Sequence, residues 1–279
     1  MLRSHASRVR FAVMKRHALP DADLRAEARH LYGADPAGYE AGRPDYPERV
    51  YEVLATRCGV RPGASVLEIG PGTGRVTRRL TALGATVVAV EPDRALVAHL
   101  REHAAVSGTQ VIGGSFEDVE LPENRFDAVV AAMSFHWVDQ DIGLPKLHRV
   151  VRADGSVALW WTVFGDPSTR DPFDEATRHL TEELVPDHHV PFELDVASWT
   201  RDLTSAAGLV DVSAELIPWT ARFELEQLQA FYGSMIAVRR LSNREREALL
   251  GELASIAKAE FGSVVERPFV TALYTGRRA

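Results

Sequence analysis

Cysteine is nearly absent: Cys58 stands alone in 279 residues, so the chain forms no internal disulfide. That usage fits a reducing cytoplasm, and Cys58 reads as a small core residue near a helix end. Lysine is almost as scarce, limited to Lys15, Lys146 and Lys258, so arginine carries nearly all the positive charge. No run approaches the roughly 18 uninterrupted apolar residues of a membrane span; the longest are stretches such as Ala128–Met133, and no membrane partner is expected. Thirty-two basic against 39 acidic side chains leave a formal charge of −7, which argues against broad attraction to nucleic acid or anionic lipid. Residues 1–16 carry Arg3, Arg8, Arg10, Lys15 and Arg16 with no acid, yet lack the apolar segment of a secretory signal. Met14 offers a second start, and residues 1–30 are read as a leader outside the fold.

What is present is an ordinary globular mixture, 46% apolar and 25% charged, which excludes disorder and collagen. Pro47 in a first helical turn opens a helix through Leu54, ended by Gly59 and Gly63. Strands are expected at Ser65–Ile69, Thr86–Val90, Val111-Ile112, Ala128–Met133 and Val157–Thr162. Helices alternate with them at Arg75–Leu83, Arg94–Ala105 and Pro145–Val151. Such alternation requires a doubly wound α/β fold, its sheet mainly parallel and covered on both faces. After Phe164 the rhythm changes to helical pieces, one long strand at Val210–Phe223, helices at Leu225–Arg239 and Asn243–Phe261, and a last strand at Phe269–Tyr274. The reading is a binding core over 31–165, with 166–279 adding cap helices and the last two strands of the same seven-stranded sheet.

Glu68-Ile69-Gly70-Pro71-Gly72-Thr73-Gly74 falls where the first strand turns into its helix. Glycine at alternating positions lets backbone bend sharply against a ligand, at the strand ends where open α/β sheets bind. Glu91, 21 residues after Gly70, closes the second strand with a carboxylate suited to ribose hydroxyls. A dinucleotide fingerprint fails because Arg75 stands where the third glycine belongs, and a phosphate loop fails for want of lysine.

A G-x-G-x-G turn after a strand ending in acid resembles motif I of class I S-adenosylmethionine-dependent methyltransferases. The span from about Leu31 to Thr162 resembles that family in order: Gly114-Ser115-Phe116-Glu117-Asp118, Phe126-Asp127-Ala128-Val129-Val130, Ser134-Phe135-His136-Trp137-Val138, and Leu147-His148-Arg149-Val150-Val151 before Asp154-Gly155. Tyr39–Pro47 is similar to the lead-in of trans-aconitate methyltransferases and their relatives. The resemblance implies a Rossmann-like fold, S-adenosyl-L-methionine as cofactor, and roles by position. Gly70, Pro71 and Gly72 approach its methionine part, Glu68 organises the loop or meets its amino group through water, and Glu91 holds the ribose. Ser115 replaces the acid that commonly meets adenine, so recognition passes to the Ser115-Phe116 backbone or to Glu117, with Phe116 flanking the ring. Tyr39 and Arg43 form a lid, Arg43 meeting a carboxylate, and Ala132 presents backbone near the sulfonium.

A sulfonium methyl is already activated, so alignment, worth on the order of 7–11 kcal/mol, outweighs a general base worth about 10²–10⁴-fold. His136 is placed either to remove a proton from the acceptor or to hold its loop, and Trp137 to wall the pocket. The loop after the fourth strand lacks the Asn/Asp-Pro-Pro-Tyr/Phe sequence of enzymes acting on nucleic-acid bases. Trp160, Trp161 and Trp219 read as core ahead of aromatic pocket walls, His188-His189 as a solvated loop with no metal, and Arg239, Arg240, Arg244 and Arg246 as a solvated helix face ahead of an anion site. The expected function is methyl transfer to O, N or C of a small-molecule acceptor, the alternative being a non-catalytic S-adenosylmethionine-binding regulator. Oligomeric state is left open.

Overall fold

The apolar runs form strands β1 (Ser65–Ile69), β2 (Thr86–Glu91), β4 (Phe126–Ala132) and β5 (Val151–Val163), largely buried on both faces, while β3 (Thr109–Gly113) is a partly exposed edge strand. The computed structural model describes residues 33–103, 109–182 and 192–279, so the leader and His188-His189 lie outside the described residues. Helices α1 (Pro36–Gly42) and α2 (Glu48–Thr56) precede β1. Helices α3 (Arg75–Ala82), α4 (Arg94–His103) and α5 (Gln140–Val150) then alternate with the strands. Two longer strands, β6 (Val210–Glu224) and β7 (Val264–Arg277), complete a seven-stranded sheet of order β3-β2-β1-β4-β5-β7-β6. The first five strands are parallel, while β7 runs antiparallel to both β5 and β6. The sheet is mainly parallel, as expected, and is mixed only through the antiparallel β7.

Strand alternation divides the core into two layers. Val66, Ala128, Val130 and Trp160 face α2 and α3, where Val50, Leu54, Val76 and Leu80 close the layer. Leu67, Val129, Leu159 and Trp161 face the other way, against Leu144 and Leu147 of α5 and Trp199 of α7 (Val196–Ser205). Trp160 and Trp161 are fully buried, as expected of core residues, and so is Cys58. Each such apolar side chain contributes roughly 1.5–3 kcal/mol through burial. No helix among the described residues is long and apolar enough to cross a membrane.

A third cluster fills the added helices α6 (Pro172–Thr181), α8 (Leu225–Gly233), α9 (Ile236–Arg239) and α10 (Asn243–Phe261), with Phe173, Phe223, Phe231, Leu253 and Phe269 at its centre. Helix α10 matches its expected bounds because Ser242 and Glu245 form a reciprocal cap and Gly262 ends it at φ +66°. The single helix expected over 225–239 breaks at Ser234, whose hydroxyl donates to the Phe231 carbonyl at 2.6 Å. Helix α5 starts five residues before Pro145, since Asp139 caps it through the Asp141 amide at 3.0 Å. Strand β5 starts at Val151, earlier than expected, and passes Asp154 in a left-handed conformation. Arg239 is not solvated: its side chain is only 9% exposed and lies 3.9 Å from Asp35.

Arg267 of β7 ties this cluster together. Its guanidinium donates to Asp171, the cap of α6, at 2.8 Å and to the Tyr232 hydroxyl at 3.0 Å, with 4% of the side chain exposed. Removing one partner of a buried pair strands the other charge, which costs about 3–5 kcal/mol. Arg267→Ala is accordingly expected to lower unfolding stability in urea by about that amount, and an unchanged midpoint would show that the network contributes little.

Candidate active site

The strand order reverses between β1 and β4, which opens a crevice beyond their carboxyl ends. Past Ile69 the chain turns through Gly70 at φ +66° and Gly72 at φ +59°. The Gly70 amide donates to the Val90 carbonyl at 2.9 Å, and the Ser134 hydroxyl donates to the Ile69 carbonyl at 2.5 Å. A Cβ on Gly70 would stand 2.6 Å from the Ser134 Cβ, so this approach admits only glycine. A Cβ on Gly72 would meet nothing within 4 Å, which leaves its backbone facing open space.

That space is a cavity of about 270 Å³. The residues expected to bind the cofactor or act on the acceptor line it: Tyr39, Arg43, Glu68, Gly70, Pro71, Gly72, Glu91, Ser115, Phe116, Ala132, His136 and Trp137. Met133, Phe164, Glu193 and Trp219 line it too. Trp219 packs against the third core cluster, edge to face with Phe269, and also lines the cavity; its indole donates to the Thr271 hydroxyl at 3.0 Å. Glu193 carried no signal in the sequence, because it sits in a short 3-10 turn (Phe192–Leu194) within an irregular polar stretch.

Two acids brace the glycine turn. Glu68 is 1% exposed and accepts the Thr77 hydroxyl of α3 at 2.6 Å; burial pushes its pKa up to about 7. Glu91 accepts the amides of Gly72 at 3.1 Å and Asp93 at 3.0 Å, which fixes its carboxylate on the cavity wall. Farther along, the Ser115 hydroxyl donates to Asp118 at 2.6 Å, and Glu117 accepts the Asp139 amide at 2.9 Å. Phe116 is almost fully buried beneath the Lys146 ammonium, which also donates to the carbonyls of Glu117 and Val119. The β3–β4 connection is thus stapled to α5.

At the opposite end α1 closes over the crevice. Arg75 donates to the Glu40 carbonyl at 2.7 Å and Arg78 pairs with the Glu40 carboxylate, which ties this short helix to α3. The Arg43 guanidinium then lies 5.2, 4.6 and 5.4 Å from the ring centres of Tyr39, Phe164 and Phe231. Its Nε is buried with no hydrogen-bond partner among the described residues. Rings soften the desolvation of a cation but supply no acceptor for its N–H groups, so the site suits an anion.

His136 follows the left-handed Met133, which turns the chain out of β4. The Trp161 indole N–H donates to His136 Nδ1 at 3.0 Å. Nδ1 is then the acceptor, and a neutral ring carries its hydrogen on Nε2. Burial pushes the imidazole down to about 3, so the neutral ring prevails at neutral pH.

A seven-stranded sheet of this order, with a glycine turn at its switch point and an acid closing the next strand, defines the class I S-adenosylmethionine-dependent methyltransferase architecture. The chain belongs to the methyltransferase family. Residues 67–159 match the family described as Methyltransferase domain. An uncharacterized methyltransferase of Mycobacterium tuberculosis is 33% identical over 195 residues, covering 66% of this chain and 75% of the relative. One from Schizosaccharomyces pombe is 26% identical over 228 residues, covering 81% and 87%. Among solved structures, phosphoethanolamine N-methyltransferase 2 of Haemonchus contortus in complex with S-adenosyl-L-methionine shares the fold at a TM-score of 0.55 and 15% identity, over 88% of this chain and 57% of that one.

The raised pKa of Glu68 makes folding pH-dependent. The folded protein keeps this proton up to about pH 7, whereas an unfolded glutamate loses it near 4.5. Its contribution is therefore complete below pH 4.5 and declines as pH rises to about 7, by on the order of 3 kcal/mol. Glu68→Gln is expected to remove that decline from stability curves measured across this window, and an unaltered slope would contradict an uncharged Glu68.

Proposed function

We propose that this protein transfers a methyl group from S-adenosyl-L-methionine to a small-molecule acceptor. The observation carrying this reading is the juxtaposition, in one cavity, of the carboxylate of Glu91 fixed by two amides, the open backbone of Gly72, and the buried guanidinium of Arg43. Those three features fit the ribose, the methionine chain and the methionine carboxylate of that cofactor. When bound, it supplies a sulfonium-activated methyl group.

The protein's own part is then to bind, orient and exclude water. Glu91 accepts the ribose hydroxyls, Gly70, Pro71 and Gly72 give backbone access, and Arg43 takes the carboxylate. Tyr39 covers this end, as the similarity of Tyr39–Pro47 to the trans-aconitate methyltransferase lead-in suggests. Adenine lies against Phe116 with the Ser115-Phe116 backbone as partner, since the Ser115 hydroxyl is engaged by Asp118. Glu68 acts at one remove: its bond to Thr77 holds the glycine turn onto α3. Ala132 lies at the methyl end, with His136 and Trp137 beyond it, and the helices after residue 165 serve as the acceptor's cap.

Two features favour a small acceptor over nucleic acid: the net charge of −7, and the sequence Ser134-Phe135-His136-Trp137 where base-modifying enzymes carry Asn/Asp-Pro-Pro-Tyr/Phe. A reducing cytoplasm suits the buried thiol of Cys58, which burial pushes up to about 12.

Calorimetric titration tests the reading. The wild type is expected to bind S-adenosylmethionine and S-adenosylhomocysteine, and Glu91→Ala to bind both at least about tenfold more weakly, because charge-assisted hydrogen bonds are lost. Unchanged affinity in a variant with native circular dichroism would refute the ribose assignment. Absence of binding by the wild type would refute the function.

A further inference from the structure

Past β4 the cavity extends over a flank of the sheet that the cofactor does not need. The strand order sets Glu91 of β2 and Thr162 of β5 three strand spacings apart, about 14 Å across the sheet, on opposite sides of the crevice between β1 and β4. Thr162 is 4% exposed, lines the cavity, and donates its amide to Met133 Sδ at 2.9 Å. Trp219 and Phe164 line the cavity as well, and both pack against Phe269, with ring centres 5.4 and 5.3 Å away. Two large rings and one hydroxyl thus belong to the acceptor flank.

The hydrogens in this region fix which way that hydroxyl points. Thr162 and Thr271 are cross-strand partners on β5 and β7, with their hydroxyl oxygens 2.8 Å apart and one hydrogen between them. The Trp219 indole, which can only donate, gives its hydrogen to the Thr271 oxygen at 3.0 Å. If Thr162 also donated to Thr271, the Thr271 hydrogen would have no acceptor among the described residues, at a position with 0% exposure. A buried donor without an acceptor is costly, whereas the reverse polarity pairs every hydrogen of Trp219 and Thr271. The chain of donation therefore runs from Trp219 to Thr271 to Thr162. The last hydrogen, on Thr162, has no acceptor among the described residues, and Thr162 borders the cavity where Thr271 does not.

The groups around this hydrogen offer little that could accept one. The Trp219 N–H is committed, Phe164 is apolar, and the Met133 sulfur already takes the Thr162 amide. A ligand hydroxyl placed here would bring a hydrogen with nowhere to go, whereas a carbonyl oxygen brings none. We propose that Thr162 is a specificity-determining residue that donates to a carbonyl oxygen of the acceptor, an aromatic compound whose ring lies against Trp219 and Phe164. Thr271 and Trp219 are positioning residues, acting through the Thr162 hydroxyl. The proposal rests on the methyl-transfer reading above: the carbonyl is a point of recognition, and the methyl group goes to a hydroxyl or amine elsewhere on the same ring.

Two measurements separate this assignment from the function itself. In calorimetry with S-adenosylmethionine, Thr162→Val and Thr271→Val should bind within about twofold of wild type, because a single neutral hydrogen bond to the cofactor would be worth roughly fivefold. A larger loss in Thr162→Val places the hydroxyl on the cofactor and overturns the proposal, while a wild type that does not bind refutes the methyl-transfer reading instead. In the second measurement, NMR titration of protein loaded with S-adenosylhomocysteine uses two matched pairs: para-hydroxyacetophenone with para-ethylphenol, and para-aminoacetophenone with para-ethylaniline. The wild type should bind the ketone of at least one pair roughly fivefold more tightly than its ethyl counterpart. Thr162→Val should erase that preference and Thr162→Ser keep it; if Thr162→Val does not fold, Thr162→Ala, which leaves room for a water beside Thr271, takes its place. Thr271→Val should weaken the preference although Thr271 does not border the cavity, and Thr271→Ser should restore it. A wild type that binds none of the four compounds or shows no preference overturns the proposal, as does a preference that survives in Thr162→Val.

Discussion

Everything at the binding edge depends on how closely the backbone at Gly70 approaches Ser134. The Ile69 carbonyl accepts the Ser134 hydroxyl and the Gly70 amide reaches Val90, so the ends of β1, β2 and β4 are drawn into one knot. No side chain fits between Gly70 and Ser134. A larger residue would push the β4 exit away from the turn and widen the crevice that gathers Glu91, Ala132 and His136. The glycine is there for closeness as much as for its positive φ, and the two requirements coincide at this position.

The cavity concentrates groups that a folded chain would otherwise keep in water. Among the described residues, Glu68 is buried against Thr77, Arg43 has its Nε without an acceptor, and Glu193 lacks a counter-ion. Each opposes folding, by desolvation of a polar or charged group. Their persistence is possible because stability resides elsewhere, in the two layers on either side of the sheet and in the cap cluster around Phe231 and Phe269. The site and the stability of the protein occupy different parts of the molecule, joined by the rigid strands between them.

Sequence patterns revealed those elements whose signals are local. Strands β1, β2 and β4 were visible as apolar runs, and α10 as a cap, a repeat of apolar positions and a closing glycine. The residues of the glycine turn and Glu91 were legible because the βα unit fixes their spacing, and they do meet in one cavity. Signals failed where tertiary contacts decide. The break at Ser234 and the burial of Arg239 depend on contacts outside the local pattern. Trp219 serves both ends: on the edge strand β6 it packs against Phe269 of the third cluster and also lines the cavity.

Trp161 and Tyr274 show why part of an active site stays hidden in sequence even when its motif is plain. Both sit in strands, both are fully buried, and by composition they are ordinary core residues. Their apolar bodies do serve the core. Their single polar atoms, however, find partners that border the cavity, unlike the buried Trp160 indole, which has none among the described residues. The hydrogen bond from the Trp161 indole also fixes which nitrogen of His136 bears hydrogen, so a packing contact becomes a chemical one. A core substitution such as Trp161→Phe would preserve most of the buried area while freeing the imidazole to change tautomer. The influence of such a residue on chemistry is therefore not measured by its influence on stability.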